Sequence, residues 1–325
     1  MLSAFQNRLV PVIQRGLVGI YWGLMMRLVL ALFLVVLPLA TPVWSEGRTT
    51  LGVGRIFTND IFGDGADRWR TGSYAYSLVR GRDAYSGTED FGDLISYRLQ
   101  AQIIAPSRQG GAPGDRPYVG SVSLGASTHF GYAGTQVSLG GDIEAIGPQT
   151  GMSDFQESFH DTFDMPAPRF TDQQLGDTVF LNGMASATRS VQTSRLTTLR
   201  PFIEARIGGE DLLRVGADVI FGNVAQNDLL LRDVVTGQLY RGTESTALGF
   251  SYVVGADFAT VFDSVYLPGD MGYTVSQSRA RARTGVHWQI GDAVSFFYGA
   301  TYLSPEFVGQ ADGQVVGSVK LNFNF

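Results

Sequence analysis

The sequence predicts an all-β protein, a twelve-stranded antiparallel transmembrane β-barrel with a short helix in an extracellular loop. Three observations carry this. The 325 residues include 41 Gly, 13 Tyr and 21 Phe with only 17% charged side chains, which suits many short strands better than helices. From Glu46 onward the apolar period is two rather than 3.6. Finally, the segment 279–290 sets Ala280, Ala282, Val286, Trp288 and Ile290 against Arg279, Arg281, Arg283, His287 and Gln289. Three arginines cannot face a sandwich core, but they can line a wet lumen while the other face meets lipid.

The N-terminal segment stands apart. Leu28 to Ala40 is apolar apart from Pro38, follows Arg27 and leads into Val43-Trp44-Ser45 before Glu46. This reads as a secretory signal peptide over residues 1–45, with Met25 or Met26 as a conventional start. A spanning helix needs about 20 apolar residues, so an uncleaved anchor is the weaker reading. Residues 46–325 then form one barrel domain. Removing 1–45 takes away three arginines and no acid, leaving 21 basic against 30 acidic residues. Arginine supplies every basic side chain except Lys320, and no basic patch suggests nucleic acid. With no cysteine, a disulfide framework and thiolate metal sites are excluded.

Strands are predicted near 48–58, 71–81, 94–106, 118–130, 133–146, 177–191, 197–208, 211–222, 246–258, 273–290, 293–303 and 314–325. In 135–146, Val137, Leu139, Ile143 and Ala145 alternate with Gln136, Ser138, Asp142 and Glu144. The last segment opposes Val315, Val319, Leu321 and Phe323 to Ser318, Lys320 and Asn322, and its final Phe325 is similar to the terminal signal of outer-membrane barrels. The tight turns at Gly208-Gly209 and Gly291-Asp292 are expected to be periplasmic. The longer connections 59–70, 82–93, 107–117, 147–176 and 223–245 are expected outside. Arg279, Arg281 and Arg283 leave two lumens open: an anion-selecting pore, or a plugged interior in which they face Asp218 or Glu204.

Two stretches carry chemistry. From Gly147-Pro148 to Gln174 the strand pattern is interrupted, and Gln156 and His160, four apart, fall on one face of a short helix that Ser153-Asp154 could cap. That places an imidazole beside an amide on a barrel rim; the plainer alternative is an exposed loop histidine, one of three in the protein with His129 and His287. The other stretch is Thr58-Asn59-Asp60-Ile61-Phe62 followed by Asp67-Arg68-Trp69-Arg70-Thr71. Asn and Asp there make a turn, and the same carboxylate, amide and hydroxyl oxygens are hard ligands of the kind Ca²⁺ takes. A Ser153 or Ser158 nucleophile is the rival to water activated by His160, although no Gly-x-Ser-x-Gly elbow accompanies either serine.

In order along the chain, Asn59-Asp60, Asp67-Arg68 with Thr71, Gly114-Asp115-Arg116-Pro117-Tyr118, and Ile146-Gly147-Pro148 with Gln156, His160 and Gln174 resemble the outer-membrane lipid A 3′-O-deacylase (LpxR) family. The resemblance spans nearly the whole mature chain. It implies a twelve-stranded barrel in the bacterial outer membrane, a Ca²⁺-dependent esterase site at the external rim, and removal of the 3′-linked acyloxyacyl chain of lipid A in lipopolysaccharide. By position it implies a catalytic set of His160, Gln156, Asn59, Asp60 and Thr71, with His160 as general base and Asp60 and Thr71 holding the metal. A membrane-embedded monomer is expected. The sequence departs from the family where Phe170-Thr171-Asp172-Gln173 precede Gln174 in place of Gly-Trp-Asp, and where Arg70 replaces an aromatic and could meet a lipid phosphate. The alternative is a barrel without enzymatic activity, either a small pore or a glycolipid-binding protein.

Overall fold

The structure, a computed structural model, describes residues 47–107, 115–162, 164, 174–243, 245, 247–291 and 294–323. Residues 1–45, expected to be a signal peptide, together with Gly114, the stretch from Phe170 to Gln173, Asp292 and the terminal Asn324 and Phe325 lie outside the described residues.

The barrel strands are β1 (Thr49–Asn59), β2 (Trp69–Gly81), β3 (Leu94–Ala105), β4 (Val119–Tyr132) and β5 (Thr135–Ile146). Helix α1 (Met152–Thr162) follows β5, then come β6 (Thr178–Thr188), β7 (Val191–Ser194), β8 (Thr197–Ile207) and β9 (Glu210–Gly222). A short hairpin, β10 (Leu230–Arg232) and β11 (Leu239–Arg241), precedes β12 (Gly249–Ser264), β13 (Ser278–Ile290), β14 (Val294–Leu303) and β15 (Gln314–Phe323). Each barrel strand pairs antiparallel with its neighbours, and pairing of β1 with β15 and of β6 with β8 closes twelve strands. β7 continues the line of β6 past a break and pairs with the start of β8. Closure leaves no unpaired sheet edge, which a bilayer requires.

The period of two sorts the side chains. Along β12, Phe250, Tyr252, Val254, Phe258 and Phe262 are exposed, whereas Ser251, Val253, Asp257, Ala259 and Val261 are buried. Along β13, Trp288 and Ile290 face outward, while Arg279, Arg281, Arg283, His287 and Gln289 are all buried in the lumen. The arginine row is paired, as the plugged reading requires. Arg283 meets Asp218 at 2.6 Å, Arg281 meets Asp257 at 2.9 Å and Arg279 meets Glu210 at 2.7 Å. Glu204 faces a different set, Arg206 at 2.8 Å and Arg214 at 2.9 Å.

Antiparallel alternation fixes which connections share a rim. Those after β1, β3, β5 and β8 emerge on one side, here called the site rim; those after β2, β4, β9 and β13 emerge on the other, where the barrel begins and ends. The turn at Gly208-Gly209 is therefore on the site rim, and 82–93 and 223–245 are on the opposite rim. These correct the sequence reading, because loop length carries no information about rim whereas strand parity decides it.

The segment 223–245 also differs in kind. Instead of looping out, its hairpin enters the lumen, where Leu229, Leu231 and Tyr240 pack with Ile56, Val79, Leu94 and Phe297. Tyr240 Oη lies 2.9 Å from Ser77 Oγ, and Gln238 Nε2 donates to Thr301 Oγ1 at 3.0 Å. In the sequence Leu229-Leu230-Leu231 is a run of only three apolar residues between Asp228 and Arg232, too short to show a period.

Candidate active site

The site begins where β1 runs out. Asn59 Oδ1 accepts the Ile61 N–H at 2.8 Å, turning the chain into a single 3₁₀ turn, Asp60–Phe62. Asp60 then reaches forward, its Oδ2 accepting the Arg68 N–H at 2.9 Å, so one carboxylate oxygen ties both ends of the 60–68 loop together. The loop returns through Asp67 and Trp69 with φ of 46° and 56°. For a residue as bulky as tryptophan that conformation is strained, and such strain gathers at functional sites. In β2 the register then slips between Arg70 and Gly72, leaving Thr71 as the extra residue of a β-bulge. A bulge re-aims a side chain, and here it turns Thr71 toward the loop.

The second half of the site comes from α1. Gly147, at φ 96°, takes a left-handed conformation that a side chain would strain, and a Cβ there would sit 2.8 Å from Asp177 N. Gly120 of β4 allows the helix to approach, since a Cβ on it would lie 2.6 Å from Met152 Cβ. Ser153 and Asp154 lie inside the first turn rather than ahead of it, which corrects their expected capping role. Thr150 Oγ1 instead accepts the Met152 N–H at 3.4 Å, and Asp154 keeps only a favourable place near the helix N-terminus. Gln156 and His160 are the buried residues of the helix, 5% and 3% exposed. The exposed-histidine reading is thereby excluded.

All five predicted site residues, Asn59, Asp60, Thr71, Gln156 and His160, line one groove of about 380 Å³. Its walls are otherwise largely apolar, with Phe57, Tyr74 and Ile103 from the strands and Met152, Phe155 and Phe159 from the helix. Phe57, Tyr74 and Phe155 are also solvent-exposed, so the groove opens on the flank that faces lipid. Within it three buried oxygens, Asp60 Oδ1, Thr71 Oγ1 and Gln156 Oε1, have no hydrogen-bond partner among the described residues. Burial pushes the Asp60 carboxyl up to about 7; the Arg68 N–H pulls it down, and Asp67 and Asp64 add to the rise. Hard, unpartnered oxygens of this kind fit a Ca²⁺-like cation. Among the described residues no three His, Cys, Asp or Glu side chains cluster as a metal centre, so a cation here would rest on Asp60, with Asp67 in the same lining, and on neutral oxygens.

Comparison with known proteins identifies the lineage. The model of a family described as outer membrane protein LpxR matches residues 28–325. The chain belongs to the LpxR family. The solved structure of LpxR from Salmonella typhimurium is similar, with a TM-score of 0.67 at 18% identity, covering 84% of this chain and 100% of that one. The β-domain of the Bordetella autotransporter BrkA also matches, at a TM-score of 0.45 and 9% identity over 86% of this chain and 100% of that one. No curated protein matches in sequence. The barrel fold and outer-membrane location of an LpxR protein are thus in hand.

Of the other residues that the family resemblance brought forward, Asp67 also lines the groove, whereas Gln174 and Asp115 lie away from it. Gln174 is half-buried and does not line it; its neighbour Leu175 donates its N–H to Tyr118 O at 3.1 Å. Asp115 fixes a loop, accepting from Ser107 N and Oγ, both at 2.7 Å. Arg70 turns into the lumen, where Glu306 accepts from its Nε at 2.8 Å. Ser158 is exposed, and neither it nor Ser153 lines the groove. The sequence reading missed the apolar wall. Phe155 and Phe159, one position before Gln156 and His160 and likewise four apart, were the available signal, and their rings lie 6.4 Å apart.

Proposed function

We propose that this LpxR-family barrel is a Ca²⁺-dependent esterase that hydrolyses the 3′-linked acyloxyacyl chain of lipid A, with His160 as general base. The observation that carries this is the groove itself, in which a buried imidazole, a buried carboxylate and two buried neutral oxygens stand beside an apolar wall on the lipid-facing flank. An acyl chain lying along Phe155, Phe159 and Met152 would stay among apolar surfaces while its ester reached the polar end.

His160 would take a proton from a water as that water's oxygen attacks the ester carbonyl carbon. As the tetrahedral intermediate collapses, the bond to the sugar oxygen breaks, and the imidazolium returns its proton to that leaving oxygen. The products are the acyloxyacyl carboxylic acid, its secondary ester intact, and the sugar hydroxyl. Gln156, one turn before His160, would help orient the water, and Asn59 is held by its bond to Ile61 N with its amide donors left for the substrate. Asp60 and Thr71 would hold the cation, with Gln156 Oε1 the third unpartnered oxygen at hand. When bound, Ca²⁺ supplies positive charge to the developing oxyanion.

A passive pore is disfavoured by the hairpin in the lumen and by the ion pairs that span it. The test is mass spectrometry of lipid A after incubation with the refolded barrel, with Ca²⁺ or EDTA, beside His160→Ala. Loss of one acyloxyacyl mass only with Ca²⁺ and intact His160 supports the proposal. An unchanged mass from a barrel shown to be folded by heat-modifiable gel mobility sinks it and favours a glycolipid-binding protein.

A further inference from the structure

Between the plug and the site rim lies a polar cavity of about 100 Å³, lined by six arginines, among them Arg70, Arg206, Arg214 and Arg279, and by four carboxylates, Asp142, Glu144, Glu210 and Glu306. Glu204 and Asp257, outside that lining, pair with Arg206, Arg214 and Arg281. The acids are already engaged. Glu144 accepts from Tyr266 Oη at 2.6 Å and from Ser121, Asp142 accepts from Asn182 at 2.7 Å, Glu210 holds Arg279 at 2.7 Å, and Glu306 holds Arg70 at 2.8 Å. Arg279 spends only Nη1 on Glu210; its Nε and Nη2 are buried with no hydrogen-bond partner among the described residues, on a side chain 9% exposed. Beside it Arg116, with a side chain 0% exposed, meets Glu306 through Nη1 and likewise leaves Nε and Nη2 without partners.

Buried guanidinium N–H groups without acceptors are costly. A tetrahedral oxyanion would supply those acceptors, since the fork of a guanidinium matches two oxygens of a phosphate group. We propose that this cavity is an oxyanion site that takes a phosphate-type group, with Arg279 as its main donor. Gln102 lines both this cavity and the lipid-side groove, and its Oε1 accepts from Arg70 Nη1 at 3.2 Å. The two sites therefore adjoin across one side chain. Resting on the esterase reading, the source of the oxyanion is the phosphorylated sugar head of the glycolipid, held inside the rim while its acyl chain lies outside.

The first arm of the test does not depend on catalysis. Inorganic phosphate is titrated into the detergent-folded barrel in EDTA and followed by phosphorus NMR or calorimetry. Saturable binding is expected, weakened about tenfold or more by Arg279→Gln, as loss of a charge-assisted bond predicts. Arg279→Lys, which keeps the partner of Glu210 but loses the fork, guards against misfolding of the glutamine variant and should also weaken binding. No saturable binding by the folded wild-type barrel overturns the proposal, whatever the deacylation result. The second arm compares KM for lipid A with KM for phosphatase-treated lipid A. A rise of about tenfold on phosphate removal, absent in Arg279→Gln, supports the headgroup as source. Equal KM values alongside intact phosphate binding overturn the headgroup source and assign the site to free phosphate.

Discussion

Glu306 offers the sharpest test of how the barrel interior is held together. It lies in the connection between β14 and β15, and three guanidinium groups converge on it: Arg70 Nε at 2.8 Å, Arg116 through Nη1, and Arg279 Nη1 at 3.8 Å. In Glu306→Gln the shape is kept, but Arg279 and Arg70 are left with Glu210, at 2.7 Å and 3.7 Å, and Arg116 loses the carboxylate it is paired with. Removing one member of a buried ion pair typically costs about 3–5 kcal/mol, because the remaining charge stays buried. The glutamine oxygen still accepts one hydrogen bond, so about 3 kcal/mol is expected for Glu306→Gln and a value toward 5 for Glu306→Ala. Urea unfolding of the detergent-folded barrel, read by heat-modifiable mobility, measures this. The double variant Arg116→Met, Glu306→Gln should recover part of the loss, with a coupling of about 1–3 kcal/mol. A Glu306→Gln midpoint indistinguishable from wild type would refute the claim that these charges are desolvated.

Four further outcomes are expected. Asp60→Asn, Thr71→Val and Gln156→Met should each raise the Ca²⁺ concentration needed for half-maximal deacylation, Asp60→Asn most because it removes the charge, and EDTA should abolish turnover of the wild type. Gly120→Val should push Met152 and the start of α1 off the wall at a cost of about 1–3 kcal/mol and lower activity, with the barrel still closed by gel mobility. His160→Ala should lower kcat by roughly a hundredfold or more without shifting the urea midpoint by more than about 1 kcal/mol. In planar bilayers the intact barrel should conduct little, and replacing residues 229–241 by a short Gly-Ser linker should raise conductance several-fold.

Much of the site was legible before the fold was known. The four-residue spacing of Gln156 and His160 survives as a buried helix face because it is local geometry, and Asn59-Asp60 remain a turn because short polar side chains capture their own backbone. Thr71 is different, since nothing in its sequence context reveals the bulge that turns it toward the loop. The fate of Arg70 was hidden as well. Its guanidinium serves the lumen because Glu306, 236 residues away in sequence, lies beside it, and such pairing exists only once the barrel has closed.

By itself the sequence determined the class of the protein: a period of two with arginines on one strand face admits a polar, charge-lined interior and a lipid-facing exterior, and little else. It also determined the strand order, since hairpin connectivity leaves neighbours in sequence as neighbours in the sheet. The tertiary structure alone decided what fills the lumen, on which rim each loop emerges, and which arginines keep unspent donors. These follow from closure, which brings together side chains on strands far apart in the chain and sets their charge balance by what meets across the barrel.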